Sequence, residues 1–170
     1  MGLKGRLMEL LRAGDERALG ALASEDPRAV RYLLGRLWDP DAELRRRAAR
    51  AIGVASSSRP DGGLELVRGL MWGLNDESAT NGRYGISALG EIGYCNPEMI
   101  APFVGPLASL AWDDGLRLDI MRALARIAEA APELVRPVCG LVLEHVRMED
   151  KTERRVSQRL LDVSGGIDGA

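Results

Sequence analysis

Residues 37–53, LWDPDAELRRRAARAIG, align without a gap on residues 74–90, LNDESATNGRYGISALG. Asp39 and Asp76, Arg46 and Arg83, Ala51 and Ala88, and Gly53 and Gly90 are each 37 positions apart. A third copy, LAWDDGLRLDIMRALARIA, follows with a shorter turn and sets Ala123, Leu124 and Ile127 against Ala88, Leu89 and Ile92. A fourth, EDKTERRVSQRLLDV, carries Leu160 and Val163 in the same places. Self-similarity at such a period marks units that cannot bury their apolar faces alone and do so by stacking.

Inside each copy the apolar spacing is helical. Ala48, Ala51, Ile52 and Ala55 form one stripe, Gly85, Ala88, Leu89 and Ile92 a second, and Ile120, Ala123, Leu124 and Ile127 a third. Each stripe belongs to the second helix of a pair. The first helices read RAVRYLLGRLW, GGLELVRGLMWGL, EMIAPFVGPLASLAW and ELVRPVCGLVLEHV, introduced by Asp26-Pro27, Pro60-Asp61, Asn96-Pro97 and Ala131-Pro132. Sustained period-2 alternation is absent and β-branched residues are sparse. The expected fold is an all-α solenoid of about four helical pairs within a single domain, residues 1–163. Residues 1–25 form an N-terminal cap, the repeats lie near 27–56, 61–93, 97–130 and 132–163, and residues 164–170 are a flexible tail.

Composition bounds the function. The 170 residues are 46% hydrophobic and 28% charged, with a net charge of −2, as in a globular domain. No apolar run approaches the roughly 20 residues that span a bilayer, and the N-terminus lacks the apolar centre of a secretion signal, so a cytoplasmic protein with no membrane partner is expected. Cys95 and Cys139 have no paired spacing and read as reduced thiols. Lys and Arg against Asp and Glu run 12 to 8 over residues 1–60, 2 to 6 over 61–100 and 9 to 11 over 101–170. The acidic centre argues against a chain-wide nucleic-acid surface, leaving Arg45, Arg46, Arg47 and Arg50 as a local basic patch on a solvated helix face, with nucleic-acid binding through it as a second alternative function.

The string D-P-D-x-x-x-R-x-x-A-x-x-A-I-G, present as Asp39, Pro40, Asp41, Ala48, Ala51, Ile52 and Gly53 with Arg46 or its neighbours, resembles the HEAT-like repeats also called PBS-lyase repeats. The likeness covers roughly residues 27–163. It implies a ladder between repeats in which the turn aspartates Asp39 and Asp76 meet Arg46 and Arg83. The words W-G-L-N-D-E-S and G-E-I-G with the glycine between them, at Trp72, Leu74, Asn75, Asp76, Glu77, Ser78, Gly82, Gly90, Glu91 and Ile92, are further similar to small uncharacterised prokaryotic HEAT-repeat proteins.

The second repeat departs from the first where ELRRRAAR becomes TNGRYGIS. Glycine in a helix interior costs up to about 1 kcal/mol against alanine, so Gly82, Gly85 and Gly90 need an offset. Either a neighbouring helix packs closely where the side chains are missing, or a delayed helix start opens a binding niche. Asn75, Asp76, Glu77, Ser78, Asn81, Arg83, Tyr84 and Glu91 are the candidate partner-binding residues on this basis. A protein partner is expected for a non-enzymatic scaffold, as a monomer or homodimer, with no cofactor.

Enzyme parts are few. The single histidine, His145, falls on the helix LVLEHVR, and no His-Glu or multi-His spacing offers a metal site. Carboxylates at Glu77 and Glu91 keep a lyase-like or acid–base alternative open. Trp38, Trp72 and Trp112 gather at the same end of successive pairs. Each is expected to plug the hinge between its helices, with an exposed aromatic row as the alternative.

Overall fold

Proline fixes φ near the helical value and lacks the N–H that a first turn leaves unpaired, so it starts helices well. In the computed structural model, which describes residues 1–75 and 82–166, Pro27, Pro60, Pro97 and Pro132 each open a helix. The ten helices pair as α1 (Leu3–Ala13) with α2 (Glu16–Glu25), α3 (Pro27–Arg36) with α4 (Ala42–Ser58), and α5 (Pro60–Leu74) with α6 (Arg83–Cys95). Then α7 (Pro97–Ala108), extended by a 3-10 turn Ser109–Trp112, pairs with α8 (Arg117–Ala128), and α9 (Pro132–Leu143) with α10 (Lys151–Ser164). Aspartates start three of the even-numbered helices: Asp15, Asp41 and Asp150 accept hydrogen bonds from first-turn amides of α2, α4 and α10.

The even-numbered helices stack in chain order from α2 to α10, and the odd-numbered ones lie in a second row against them. The fold is thus an all-α solenoid-like stack of two rows. The N-terminal cap is itself a helical pair, whose α2 continues the even row. Between the rows Leu33, Ile52, Ile86, Leu89, Ile92, Ile100 and Ile120 are fully buried, each contributing about 1.5–3 kcal/mol from area removed from water.

The even row is tight because small residues occupy the crossings. A Cβ on Gly53 would lie 2.7 Å from the Glu91 carbonyl oxygen, and one on Gly90 would lie 2.9 Å from Cα of Ala123. These register-equivalent glycines let α6 approach α4 on one side and α8 on the other, backbone to backbone.

Three boundaries differ from expectation. Helix α10 runs through Ser164, which is buried and accepts from the Cys139 thiol at 3.3 Å, so the chain stays packed one residue into the expected tail. Gly165, at φ 79°, then ends the helix. Helix α9 stops at Leu143, leaving His145 in the turn that follows rather than on a helix face. Helix α7, read as running through Trp112, tightens at Ser109 into the 3-10 turn, beyond Pro102 and Pro106, whose missing N–H groups cannot continue the ladder.

Candidate functional site

Each turn from an odd- to an even-numbered helix must bind its carbonyls, and in three of them an arginine six residues on does so: Arg45, Arg117 and, at 3.5 Å from Met148 O, Arg154. Arg45 Nη1 donates to the carbonyls of Asp39 at 2.6 Å and Pro40 at 3.0 Å. Arg117 repeats the clasp, its Nε donating to Ala111 O at 2.8 Å and its Nη2 to Trp112 O at 3.2 Å. Arg117 is buried and also meets the buried Glu153 at 3.4 Å, while Arg147 Nη2 donates to Glu153 at 2.7 Å. Burial works against the ionised Glu153, but the hydrogen bonds from Arg147 and the charge of Arg117 hold its carboxyl below the usual 4.5.

The second repeat has Gly82 where the others have these arginines. A Cβ there would stand 2.5 Å from the Gly73 carbonyl oxygen and 3.2 Å from Cα of Leu74. Glycine lets the start of α6 lie directly on the end of α5. Gly85 likewise lies against the Leu70 side chain. Of the two readings of the interrupted helix, close packing accounts for Gly82, Gly85 and Gly90.

Of the candidate residues, Asp76, Glu77, Ser78 and Asn81 lie outside the described residues. Asn75 ends α5, its side-chain amide donating to Met71 O at 3.2 Å. Arg83 reaches Asp119 of the next repeat at 3.3 Å, and its guanidinium carbon lies 5.6 Å from the Tyr84 ring centroid. Tyr84 also meets Trp38, ring centroids 6.0 Å apart and tilted by 48°. These three residues share the turn edge. Glu91 is two helical turns further along α6 and does not join them.

Glu91 instead belongs to a row of ion pairs that crosses every even-numbered helix. Arg50 Nη1 meets Glu16 at 2.6 Å and its Nε lies 3.8 Å from Glu91. Arg126 Nε meets Glu91 at 3.1 Å and its Nη1 meets Glu129 at 2.5 Å, which receives Arg159 Nη2 at 2.6 Å. Burial pushes the Glu91 carboxyl above its ordinary 4.5, against the opposing pull of Arg126 and Arg50. The guanidinium of Arg126 also sits 3.4 Å from the Tyr94 ring centroid.

This row corrects the expected Asp39–Arg46 ladder. Asp39 lies at the turn edge and pairs with Arg36 at 3.3 Å, whereas Arg46 points along the even row toward Glu43 and Glu16. A signal for the true row existed: Glu16 and Arg50 are 34 apart and Glu91 and Arg126 are 35 apart, opposite charges at nearly the repeat period. It also accounts for the basic patch. Arg46 and Arg47 hold Glu43, whose carboxyl falls to about 2, chiefly through the Arg46 hydrogen bond, and Arg50 holds Glu16 and Glu91.

The tryptophans are not hinge plugs. Trp72 is 79% exposed, Trp112 63% and Trp38 44%, and Met148 in the next turn is 60% exposed. The core is filled without them by smaller residues such as Leu37, Leu74, Ala111 and Leu116. Val142 is buried, and Val146 is half-buried against the core. Val54 and Tyr94 flank a separate open depression of about 590 Å³ on the even row, whose wall includes the Cys95 thiol, raised by burial and then by Glu91.

No family model and no curated protein matches the chain. It is similar to the crystal structure of an engineered protein, a structural-genomics target, with a TM-score of 0.52 and 24% sequence identity over 89% of this chain and 73% of that one. That likeness shows the fold alone.

Proposed function

We propose that the chain is a HEAT-like, non-enzymatic interaction scaffold that binds a protein partner along its turn edge. The carrying observation is that Trp38, Trp72, Trp112 and Met148, each in or within one helical turn of the connection that follows α3, α5, α7 or α9, are all exposed. Aromatic residues and methionine are enriched in the cores of protein interfaces. Asn75, Arg83 and Tyr84 border this row, which is how the second repeat contributes to it.

The acid–base alternative draws less support. A catalytic carboxyl needs to be free to exchange a proton at a closed site. Glu91 is answered by two arginines, and Glu77 lies outside the described residues. For nucleic-acid binding, Arg46, Arg47 and Arg50 are already engaged by carboxylates and Arg45 by turn carbonyls. A cytoplasmic setting belongs to the same proposal: both cysteines are free thiols, and no helix among the described residues is long and apolar enough to cross a membrane.

Affinity capture from native lysate tests the reading. The wild type should retain a partner that the Trp72→Ala, Trp112→Ala double variant loses at unchanged melting temperature. Equal retention by both proteins would remove the turn edge as the binding surface.

A further inference from the structure

The exposed row and its charge point to one kind of partner. The connecting segments at this edge are acidic: Asp39 and Asp41 between α3 and α4, and Asp113 and Asp114 between α7 and α8. The segment between α9 and α10 adds Glu144, Glu149 and Asp150 against Arg147 alone as a full cation. Most of the nearest cations on the flanking helices are used internally: Arg36 on Asp39, Arg83 on Asp119, Arg45 on turn carbonyls, and Arg117 on turn carbonyls and on Asp114, which also has Arg147 at 3.8 Å. The exposed Lys151 at the start of α10 is the exception. At the opposite edge the connectors hold Asp26, Arg59, Asn96 and Glu129, with no comparable excess of acid. Apolar exposure and negative charge therefore coincide on one side of the stack only.

Spacing adds a second constraint. Packed helices lie about 8–10 Å apart, and the turn residues of successive pairs repeat at about that interval. A polyproline II strand advances about 3.1 Å per residue with three residues per turn, so one of its faces returns every 9 Å or so. A β-strand, at about 3.3 Å per residue with alternation of two, returns a face every 6–7 Å and falls out of step after one repeat. Exposed tryptophan faces are the surfaces on which proline rings and cations settle.

We infer that the turn edge binds a basic, proline-containing segment in the polyproline II conformation, with a proline at every third position meeting Trp38, Trp72, Trp112 and Met148 in turn and lysines or arginines between them facing the acidic connectors. This inference rests on the interaction-scaffold reading and names the partner's chemistry. Four contacts span about 27 Å, which a segment of about ten residues covers.

All three tryptophans of the chain stand on this edge, so intrinsic tryptophan emission reports on it directly. The experiment titrates the full chain with a peptide of repeated Pro-Arg-Ala triplets. Two controls accompany it: a peptide of equal composition with its prolines grouped at one end, and one with Glu for every Arg. The triplet peptide should bind saturably with an affinity that falls as salt rises, and the Glu peptide should not bind. Trp72→Ala and Trp112→Ala should each weaken binding about fivefold or more. Asp41→Asn, which preserves the helix cap, should weaken it without lowering Tm. Equal binding of the grouped-proline peptide would overturn the register, and no binding at about 1 mM would overturn the inference as a whole. If the lysate partner is still lost from the tryptophan double variant while no triplet peptide binds, the scaffold reading survives and this inference falls. If partner capture is also unaffected, both fall.

Discussion

On the even-numbered row, Arg50 meets Glu16 and Glu91, Arg126 meets Glu91 and Glu129, and Gly53 and Gly90 carry nothing that would hold the neighbouring backbones apart. On the turn edge of the same helices, Trp72 and Trp112 meet mostly water, and the acids of the connectors outnumber the cations beside them. One region satisfies itself; the other leaves apolar area exposed and holds more acids than bases. Substitutions in the first, and in the buried Arg117–Glu153 clasp beneath the edge, should register as stability. In the second they should register as binding.

Arg117→Met should cost the most, about 3 kcal/mol in urea denaturation, because it leaves the buried Glu153 with Arg147 as its one arginine partner and removes the donors to Ala111 and Trp112 carbonyls. A loss below 1 kcal/mol, on the order of an exposed pair, would break the comparison by showing that the clasp is dispensable. Gly53→Val should follow at about 2 kcal/mol, since its Cβ would press on the Glu91 backbone rather than on a side chain that can turn aside.

Glu91→Gln should change stability by about 1 kcal/mol or less at neutral pH, and its pH dependence matters more than its size. Burial holds the Glu91 carboxyl above 4.5, so the folded protein binds that proton more tightly than the unfolded chain does. Relative to Glu91→Gln, the wild type should therefore gain stability as pH falls from neutral toward and below 4.5. Glu153, held below 4.5, has the opposite sign: its contribution is present above 4.5 and is lost as pH falls through the lower folded value. Denaturation of wild type and Glu91→Gln at pH 7 and pH 4 measures the first slope, and a wild type that loses ground on acidification would contradict it. Trp72→Ala should have the smallest effect on stability, within about 0.5 kcal/mol, with the loss appearing only in partner capture.

Much of this molecule could be read from sequence because stacking imposes a repeat. The 37-residue offset, the stripes around Ala51, Ala88 and Ala123, and the prolines at 27, 60, 97 and 132 determine the helices, their pairing and which face of each even-numbered helix is buried. Helical periodicity is a local property, and burial of a stripe follows from it. The candidate site was legible only in part. The turn edge was visible as a row of tryptophans, but their exposure depends on whether neighbouring residues already fill the hinge, and Leu37, Leu74 and Ala111 do.

Which acid meets which arginine was legible only where opposite charges fall near the repeat period, as in Glu16–Arg50 and Glu91–Arg126, and tertiary structure decided the rest. Helices crossing at an angle bring together positions that repeat alignment does not pair, so Arg50 reaches Glu91 and Asp39 does not reach Arg46. The glycines of the second repeat were ambiguous for the same reason. A missing side chain says that space is needed or that space is open, and only the Gly73 carbonyl, 2.5 Å from where a Cβ on Gly82 would stand, distinguishes the two.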